Sequence, residues 1–314
     1  MTEHITGPRA RHAETSTPSA TGTWNTFWFQ PQPMTSLGII RICFGLIVLV
    51  WTLTLLPDLL TFYGPTGVTP EPPSFRYSWG LLHLFPSNQA VLIVWTVMLL
   101  AAAALSAGWH SRIAASVVFL CLLSFTRRDP VIINSGDGLL VIEALFLALA
   151  PTGAALSLDR RRTTGSFWDA QIRAPWTLRL LQIQMCVIYL TTVQLKLKGE
   201  TWPDGTAVSY SLRLPDLANL SPPEWIVTQP LLMQAATWGT LALEFALGTL
   251  VWNLRLRPWI LSAGVMLHLS IHATLTVGFF SFAMFILYLA FIPPRTADAY
   301  AGRLHRWLAL KHRR

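Results

Sequence analysis

Two lysines at the end of an apolar run are the first residues in this sequence that could do chemistry. Lys196 and Lys198 lie in the stretch QLKLKGETWPDGTAVSY, Gln194–Tyr210, which follows a long segment of mostly apolar residues. A lysine is costly to hold in apolar surroundings, so it either reaches water at the end of a helix or serves as a base in a site. These residues alone leave both interpretations open.

Two histidines in another apolar segment are also candidates. His268 and His272 are four residues apart, so a helix places them on one face. The spacing suits two metal ligands, but the HExxH pattern is absent and the sequence offers no obvious third ligand. A pair that hydrogen-bonds inside a polar cavity, or that contacts a substrate or cofactor, fits better. We expect both histidines at the depth of Lys196.

Two carboxyl groups fall inside apolar segments, where ionisable residues are rare and by default indicate a function. Glu143 stands about one turn into its segment, and Glu244 lies near the middle of another. Because Glu244 cannot easily reach water, we expect it to be protonated or paired with a basic or amide group of a neighbouring helix. A structural ion pair and a functional site both satisfy that expectation.

The connection RRDPVIINSGDG, Arg127–Gly138, concentrates polar residues between two apolar segments. Asn134 and Asp137 are typical of a turn that caps the following helix, which is a structural role. The functional alternative is a polar lid over the bundle, in which Asn134 and Asp137 contact substrate while Arg127 and Arg128 bind an anionic group.

The composition places all these residues in a membrane protein. Of the 314 residues, 53% are hydrophobic and only 12% are charged, and the mean hydropathy is +0.47. Soluble domains carry roughly 25% charged residues. A transmembrane helix needs ~20 largely apolar residues, and several segments meet that requirement. The three cysteines show no disulfide framework or CxxC metal pattern.

The sequence therefore predicts an all-α fold, a polytopic integral membrane helix bundle of about eight transmembrane helices. Residues 1–36 are expected to form a tail, disordered over roughly the first two dozen residues and interfacial beyond them. Residues 37–295 form the transmembrane domain and 296–314 a basic tail, and no cleavage site is expected to remove the first span. The predicted spans are 37–56, 90–107, 112–127, 138–152, 176–196, 231–252, 258–276 and 278–294.

The distribution of basic residues predicts the orientation in the membrane. With eight spans, fifteen of the 23 lysines and arginines lie on the side that holds both termini, five lie on the other side and three within spans. Lysine and arginine accumulate on the cytoplasmic side, so both termini are expected in the cytoplasm of a bacterial cell, with the protein in the cell membrane. The net charge of +8 then reflects topology and attraction to anionic lipid rather than nucleic-acid binding.

A known family resembles this chain in several segments that occur in the same order. They include YLTTVQLKLKGETWPDGTAVSY at Tyr189–Tyr210 and INSGDGLLVIEALFLALAPTG at Ile133–Gly153. Others are IIRICFGLIVL at Ile39–Leu49, FYGPTGVTP at Phe62–Pro70 and HATLTVGFFSFAMFILYLAFIPP at His272–Pro294. The set resembles the horizontally transferred transmembrane (HTTM) domain, the membrane portion of vitamin K-dependent gamma-carboxylase and of many bacterial proteins.

The resemblance implies chemistry for the lysine stretch. In the carboxylase, the lysine of this motif deprotonates reduced vitamin K, and reaction with oxygen and CO2 then carboxylates glutamate. Lys196 matches that base when counted from Tyr189, whereas counting back from Trp202 slips by one residue and leaves Lys198 open. The implied cofactor is reduced menaquinone or vitamin K hydroquinone, with no metal. Lys196, His268 and His272 are then the expected catalytic residues.

The same resemblance assigns supporting roles and marks departures. Glu143, Tyr189 and Trp202 are expected to bind the cofactor. The usual small-residue turn before the lysine is TTVQ here, and the large substrate-binding domain of the carboxylase has no counterpart in this chain. The resemblance thus implies a quinol-handling site without implying glutamate carboxylation. The chain also resembles the sporulation-delaying-protein B group, which implies a small peptide substrate and a partner maturation protein.

Three classes of function are consistent with the sequence. The first is a quinol-dependent enzyme that modifies or matures a small peptide or other substrate at the outer face of the membrane. The second is a non-enzymatic scaffold or immunity component of a peptide-toxin system, in which Lys196 is an anchor. The third is a transporter, which is disfavoured because the sequence shows no inverted repeat. The lipid membrane is the expected partner in all three, and nucleic acid in none.

Overall fold

The chain folds into a helical bundle with one small sheet. A computed structural model describes residues 20–70 and 79–311. The strands β1 (Gln32–Pro33) and β2 (Ile172–Arg173) pair antiparallel, with Gln32 opposite Arg173. The helices are α1 (Ala20–Phe29), α2 (Thr35–Thr54), α3 (Leu59–Tyr63), α4 (Leu81–Leu84), α5 (Asn88–Ala107), α6 (Ser111–Arg128), α7 (Ser135–Leu149), α8 (Leu158–Thr164), α9 (Trp176–Lys198), α10 (Ala207–Ser211), α11 (Glu224–Val227), α12 (Pro230–Thr249), α13 (Arg257–Thr274), α14 (Phe280–Leu289) and α15 (Pro294–Lys311), with short 3-10 helices at Leu56–Asp58, Pro215–Leu217 and Leu250–Trp252.

Each predicted span overlaps one helix, namely α2, α5, α6, α7, α9, α12, α13 or α14. By length and apolarity, three helical segments in the described residues qualify as membrane spans: Thr35–Tyr63, Asn88–Ala107 and Trp176–Lys198. Helices α14 and α15 qualify only as a pair, and their axes differ by 101°. The all-helical prediction is confirmed, whereas eight crossings stay a prediction. Helix α7 has 15 residues and α14 has 10, fewer than the ~20 that a straight crossing needs.

Helices occur within both of the predicted tails. Residues 20–24, predicted to be disordered, begin α1, and residues 1–19 lie outside the described part. Within α1 the Phe27 ring packs against Trp252 with 5.8 Å between centroids. This contact joins α1 to a segment that is distant in the sequence. The predicted basic tail contains α15, whose first turn buries Ala297, and only 312–314 lie beyond the described residues.

Four helices surround the region of the lysine stretch. Helix α9 packs against α12 and α14, and α13 packs against both α12 and α14. The close contact of α9 with α12 depends on Gly248, because a Cβ there would meet the Leu190 side chain at 2.9 Å. Pairs such as Gly248–Leu190 and Trp238–Pro203 show that α12 runs antiparallel to α9. This group of helices brings residues from four separate segments to one interior face.

Candidate functional site

The structure separates the two lysines at the end of α9. The Lys196 side chain is 18% exposed and its Nζ lies 2.6 Å from Oε1 of Glu244, a residue of α12 whose side chain is 8% exposed. Lys198, two residues on, is exposed. Side chains of a helix lean toward its N-terminus, so the Lys196 ammonium reaches back into the bundle. Glu244 therefore has the basic partner on a neighbouring helix that the sequence led us to expect.

An ordered turn covers this ion pair. The Lys196 Nζ lies 4.1 Å from the centroid of the Trp202 ring, a cation–π contact. Helix α9 ends at Lys198 with Gly199 as its C-cap, and the turn closes at Gly205, whose φ of 75° favours glycine. The Trp238 indole of α12 donates to the carbonyl of Pro203 at 3.2 Å. The segment 199–206 thus holds Trp202 against the lysine from outside.

A second polar group lies deeper in the same four helices. The Tyr189 hydroxyl is hydrogen-bonded to Nε2 of His268 at 2.8 Å and to the hydroxyl of Tyr288. Tyr189 precedes Lys196 by seven residues, which places its backbone ~10 Å farther inward along α9. Gly264 permits this arrangement, because a Cβ there would stand 2.5 Å from the Tyr288 hydroxyl. The Lys196–Glu244 pair and the Tyr189–His268–Tyr288 triad form two levels of one polar interior.

Several buried polar atoms at these levels have no hydrogen-bond partner in the described structure. They are Oε2 of Glu244, Nδ1 of His268 and Nδ1 of His272. A buried polar atom without a partner costs about 1–3 kcal/mol, so such atoms favour a ligand that satisfies them. Together with the Trp202 ring, they offer donors, acceptors and an aromatic face to a hydroxylated aromatic molecule. The residues present therefore fit the hydroquinone that the sequence led us to expect.

The histidines do not share one depth. His268 is level with Tyr189, deeper than predicted, and His272 lies one turn farther out, where its ring packs edge-on against Phe282 at 4.8 Å. The predicted depth rested on the position of each histidine within its own apolar segment. It could not include the offset between α13 and α9 along their axes. In the described parts of the chain, no group of three His, Cys, Asp or Glu side chains is placed to hold a metal ion.

Glu143 forms no hydrogen bond with the Lys196–Glu244 pair or with the Tyr189–His268–Tyr288 triad in the described structure. It is fully buried in α7, and neither carboxylate oxygen has a hydrogen-bond partner among the described residues. Its predicted role in binding the cofactor therefore stays a prediction.

Asn134 and Asp137 form the helix cap that was the structural alternative. The Asn134 side chain accepts from the backbone of Gly136 and Asp137, and the Asp137 carboxylate accepts from the Asn134 backbone at 3.1 Å. The other Asp137 oxygen accepts from the Trp51 indole at 2.8 Å. The Asn134 side chain thus joins α7 to the connection before it. The Asp137 carboxylate joins α7 both to that connection and to Trp51 of α2.

The two arginines of the same connection also have internal partners. Arg128 is 2% exposed and donates to the carbonyls of Gly64 and Thr69, each at 3.0 Å. The Arg127 guanidinium lies over the Trp79 ring, 5.3 Å from its centroid. Arg128 therefore fixes the segment around FYGPTGVTP, and its position does not support the predicted role in binding an anionic substrate.

Sequence reasoning missed two members of the site, Tyr288 and Gly264. Tyr288 lies inside FILYLAF, and a tyrosine in an apolar segment is weak evidence for a buried site because its hydroxyl can equally reach the membrane–water interface. Gly264, four residues before His268, is the clearer sign of close helix packing. Neither residue could be joined to Tyr189 without knowing how α13 and α14 pack.

Fold and site together define a class: a helical membrane protein with a part-buried lysine–glutamate pair above a tyrosine–histidine–tyrosine triad. The model of the HTTM domain matches residues 29–295, and the chain belongs to that family. It is also similar to the uncharacterized protein YitO of Bacillus subtilis (strain 168), with 26% identity over 302 residues, 89% of this chain and 93% of YitO. No solved structure matches the chain.

Proposed function

We propose that this HTTM protein is a quinol-dependent membrane enzyme in which the Lys196–Glu244 pair removes a proton from an acidic hydroxyl. The observation that carries the proposal is the pair itself. The Lys196 ammonium donates a hydrogen bond to Oε1 of Glu244, whereas Oε2 of Glu244 is buried and has no hydrogen-bond partner among the described residues. A coupled pair of this kind takes up a proton as a unit, so the base is the pair rather than the lysine alone.

The proton balance follows from that geometry. Starting from the ammonium of Lys196 and the carboxylate of Glu244, a substrate O–H bond breaks and an O–H bond forms at Oε2 of Glu244. The electron pair stays on the substrate oxygen, and the Lys196 ammonium remains close enough to stabilise the oxyanion. The Trp202 ring excludes water, which strengthens that interaction.

Reduced menaquinone or vitamin K hydroquinone is the proposed cofactor. Such a group supplies a phenolic hydroxyl and two reducing electrons when it is bound. Glu244, His268 and His272 would hold it through their unpartnered atoms, and Trp202 would pack against its ring. Tyr189 would orient His268 through their 2.8 Å hydrogen bond, which leaves Nδ1 of His268 for the ligand.

Photolabelling tests this assignment. A photoreactive naphthoquinone is expected to label peptides that contain Trp202 or His272, and excess menaquinone should prevent the labelling. Mass spectrometry of digested protein locates the label, and the variant Trp202→Ala should lower its yield at both peptides. Labelling confined to the opposite end of α9, or unaffected by menaquinone, would contradict a quinol site at Lys196.

The proposed substrate is a small peptide or another molecule at the outer face, presented with a partner maturation protein. The resemblance to the sporulation-delaying-protein B group supports this, and so does the surface of the connection between α9 and α12. There Leu214, Leu220 and Trp225 are 48%, 63% and 67% exposed. A cavity of about 320 Å³ beside them is lined by residues that include Arg213 and Glu224. This surface offers apolar and charged groups to a peptide.

A non-enzymatic scaffold is the second candidate, and the same ion pair favours it. An ammonium that is already bonded to Glu244 and covered by Trp202 can serve as a structural anchor between α9 and α12. The two candidates differ in whether removal of the pair costs only stability or activity as well.

The proposed topology has eight crossings with both termini in the cytoplasm. The contacts support it, because segments expected on one side meet in space: Arg41 donates to the carbonyl of Leu156 at 2.5 Å, and the backbone of Asp159 donates to Gly108. Alkaline phosphatase fused after Asp204 is expected to be active, whereas fusion after Gly165 should be inactive, since the enzyme folds only outside the cytoplasm. The opposite pattern of activity would invert the topology and place Lys196 at the inner face.

A further inference from the structure

Three arginines from three helices line two adjoining cavities at the end of the bundle opposite Lys196. Arg179 near the start of α9 lines both cavities, Arg295 of α15 lines one of about 400 Å³, and Arg257 of α13 lines the other of about 260 Å³. Gln32, Pro293 and Pro294 also line both. Arg179 precedes Lys196 by 17 residues, ~26 Å along α9, so these cavities are separate from the proposed quinol site.

Positive charge in these cavities has no carboxylate to balance it. No acidic residue is among the described residues that line either cavity. Arg179 and Arg257 are close enough to repel one another, which is unfavourable for two partly buried cations. Asp298, three residues after Arg295, accepts a hydrogen bond from the Thr35 hydroxyl instead. An anion would offset the repulsion.

The arginines are held in place by neutral acceptors. Arg179 donates from Nε to the carbonyl of Phe27 at 3.0 Å and from a terminal nitrogen to Oε1 of Gln182 at 2.8 Å. Arg257 donates from Nε to the carbonyl of Val251 at 3.0 Å. A guanidinium has five N–H donors, so each retains donors for a further acceptor. Gln182 is itself only 5% exposed, so a buried side chain fixes the position of the Arg179 guanidinium.

We propose that the two cavities bind a phosphate group, of the kind that an anionic phospholipid carries at the membrane surface. A planar guanidinium group can bind two phosphate oxygens at once, and each cavity is lined by two arginines, one of which is Arg179. Apolar side chains continue from the site toward lipid: Leu254 lines the smaller cavity and is 73% exposed, and Trp259 beyond it is 76% exposed. Basic pockets between helices on the cytoplasmic side are suited to anionic headgroups.

Lipid titration of the purified full chain tests the site. Dioleoylphosphatidylglycerol added to protein in neutral detergent should raise its melting temperature with saturation, whereas dioleoylphosphatidylcholine should not. Arg257→Gln and Arg295→Gln should each weaken the apparent affinity about fivefold, and the double variant about 25-fold. Arg303→Gln is the matched control, since Arg303 lies on α15 outside both cavities and its guanidinium packs on Tyr300. Arg295 is exposed, so its substitution should leave the fold intact.

Inorganic phosphate distinguishes the source of the group. If phosphatidylglycerol stabilises the wild type and the cavity variants lose the effect, the site is supported with lipid as its occupant. If inorganic phosphate alone stabilises, and the same variants lose the effect, the site is supported with free phosphate as its occupant. If the cavity variants respond to both probes as Arg303→Gln does, the proposal is overturned.

Discussion

Lys196→Ala is expected to abolish menaquinol-dependent oxygen uptake by the purified protein while the protein still inserts into the membrane. A positioned acid–base group contributes roughly 10²–10⁴-fold to a rate, so the rate of the variant should be lower than that of the wild type by about that factor. The loss follows because Glu244 would lose the ammonium at 2.6 Å that stabilises negative charge on the substrate. An oxygen electrode in menaquinol-containing liposomes measures the rate, and surface labelling of cells measures insertion.

Lys198→Ala is the matched control for this experiment. Lys198 is exposed and only two residues away, so its removal makes the same change in net charge without touching the Glu244 contact. We expect it to retain most of the wild-type rate. If Lys198→Ala loses activity and Lys196→Ala keeps it, the register of the lysine motif is wrong by two residues. Full activity in both variants would show that neither lysine is the base, whereas no oxygen uptake even by the wild type would favour the scaffold function.

Asp137→Ala is expected to lower the free energy of unfolding by about 2–4 kcal/mol. Loss of a helix cap costs ~1 kcal/mol, and a buried indole donor left without an acceptor costs about 1–3 kcal/mol more. Asp137 fills both roles, because one oxygen accepts from the Asn134 backbone and the other from Trp51. Thermal unfolding in detergent should therefore show a lower melting temperature for Asp137→Ala.

Asp137→Asn separates structure from substrate binding. The amide oxygen can still accept one of the two hydrogen bonds, so the loss of stability should be smaller than for alanine. Oxygen uptake per folded molecule should be unchanged in both variants, since Asp137 joins α7 to α2 rather than facing the Lys196–Glu244 pair. An unchanged melting temperature with lost activity would restore the substrate-binding role.

Local features of the fold were predictable because they depend on neighbouring residues. The end of α9 at Gly199, the turn at Pro203–Gly205 and the cap at Asn134 follow from the conformations that glycine, proline and asparagine favour. The long helices followed from apolar length. Their number of crossings stays a prediction, because α7 and α14 are shorter than the ~20 residues that a straight crossing needs.

Contacts between distant segments could not be predicted from one sequence. Glu143 and Glu244 are both glutamates in apolar helices, yet only Glu244 meets a basic side chain. Arg41 lies in an apolar helix, yet it is fully buried and donates to the carbonyl of Leu156. The partners of Glu244 and Arg41 come from segments more than forty residues away, so packing rather than local pattern decides these contacts.

The double variant Lys196→Met with Glu244→Leu tests most directly whether the pair is a base or only an anchor. Lys196→Met alone leaves a buried carboxylate unpaired and should destabilise the protein by up to about 3 kcal/mol. The double variant removes both charges, so it should regain a melting temperature close to the wild type. Its menaquinol-dependent oxygen uptake should stay as low as that of Lys196→Met. Recovery of stability together with full oxygen uptake would contradict a catalytic pair and identify a structural ion pair.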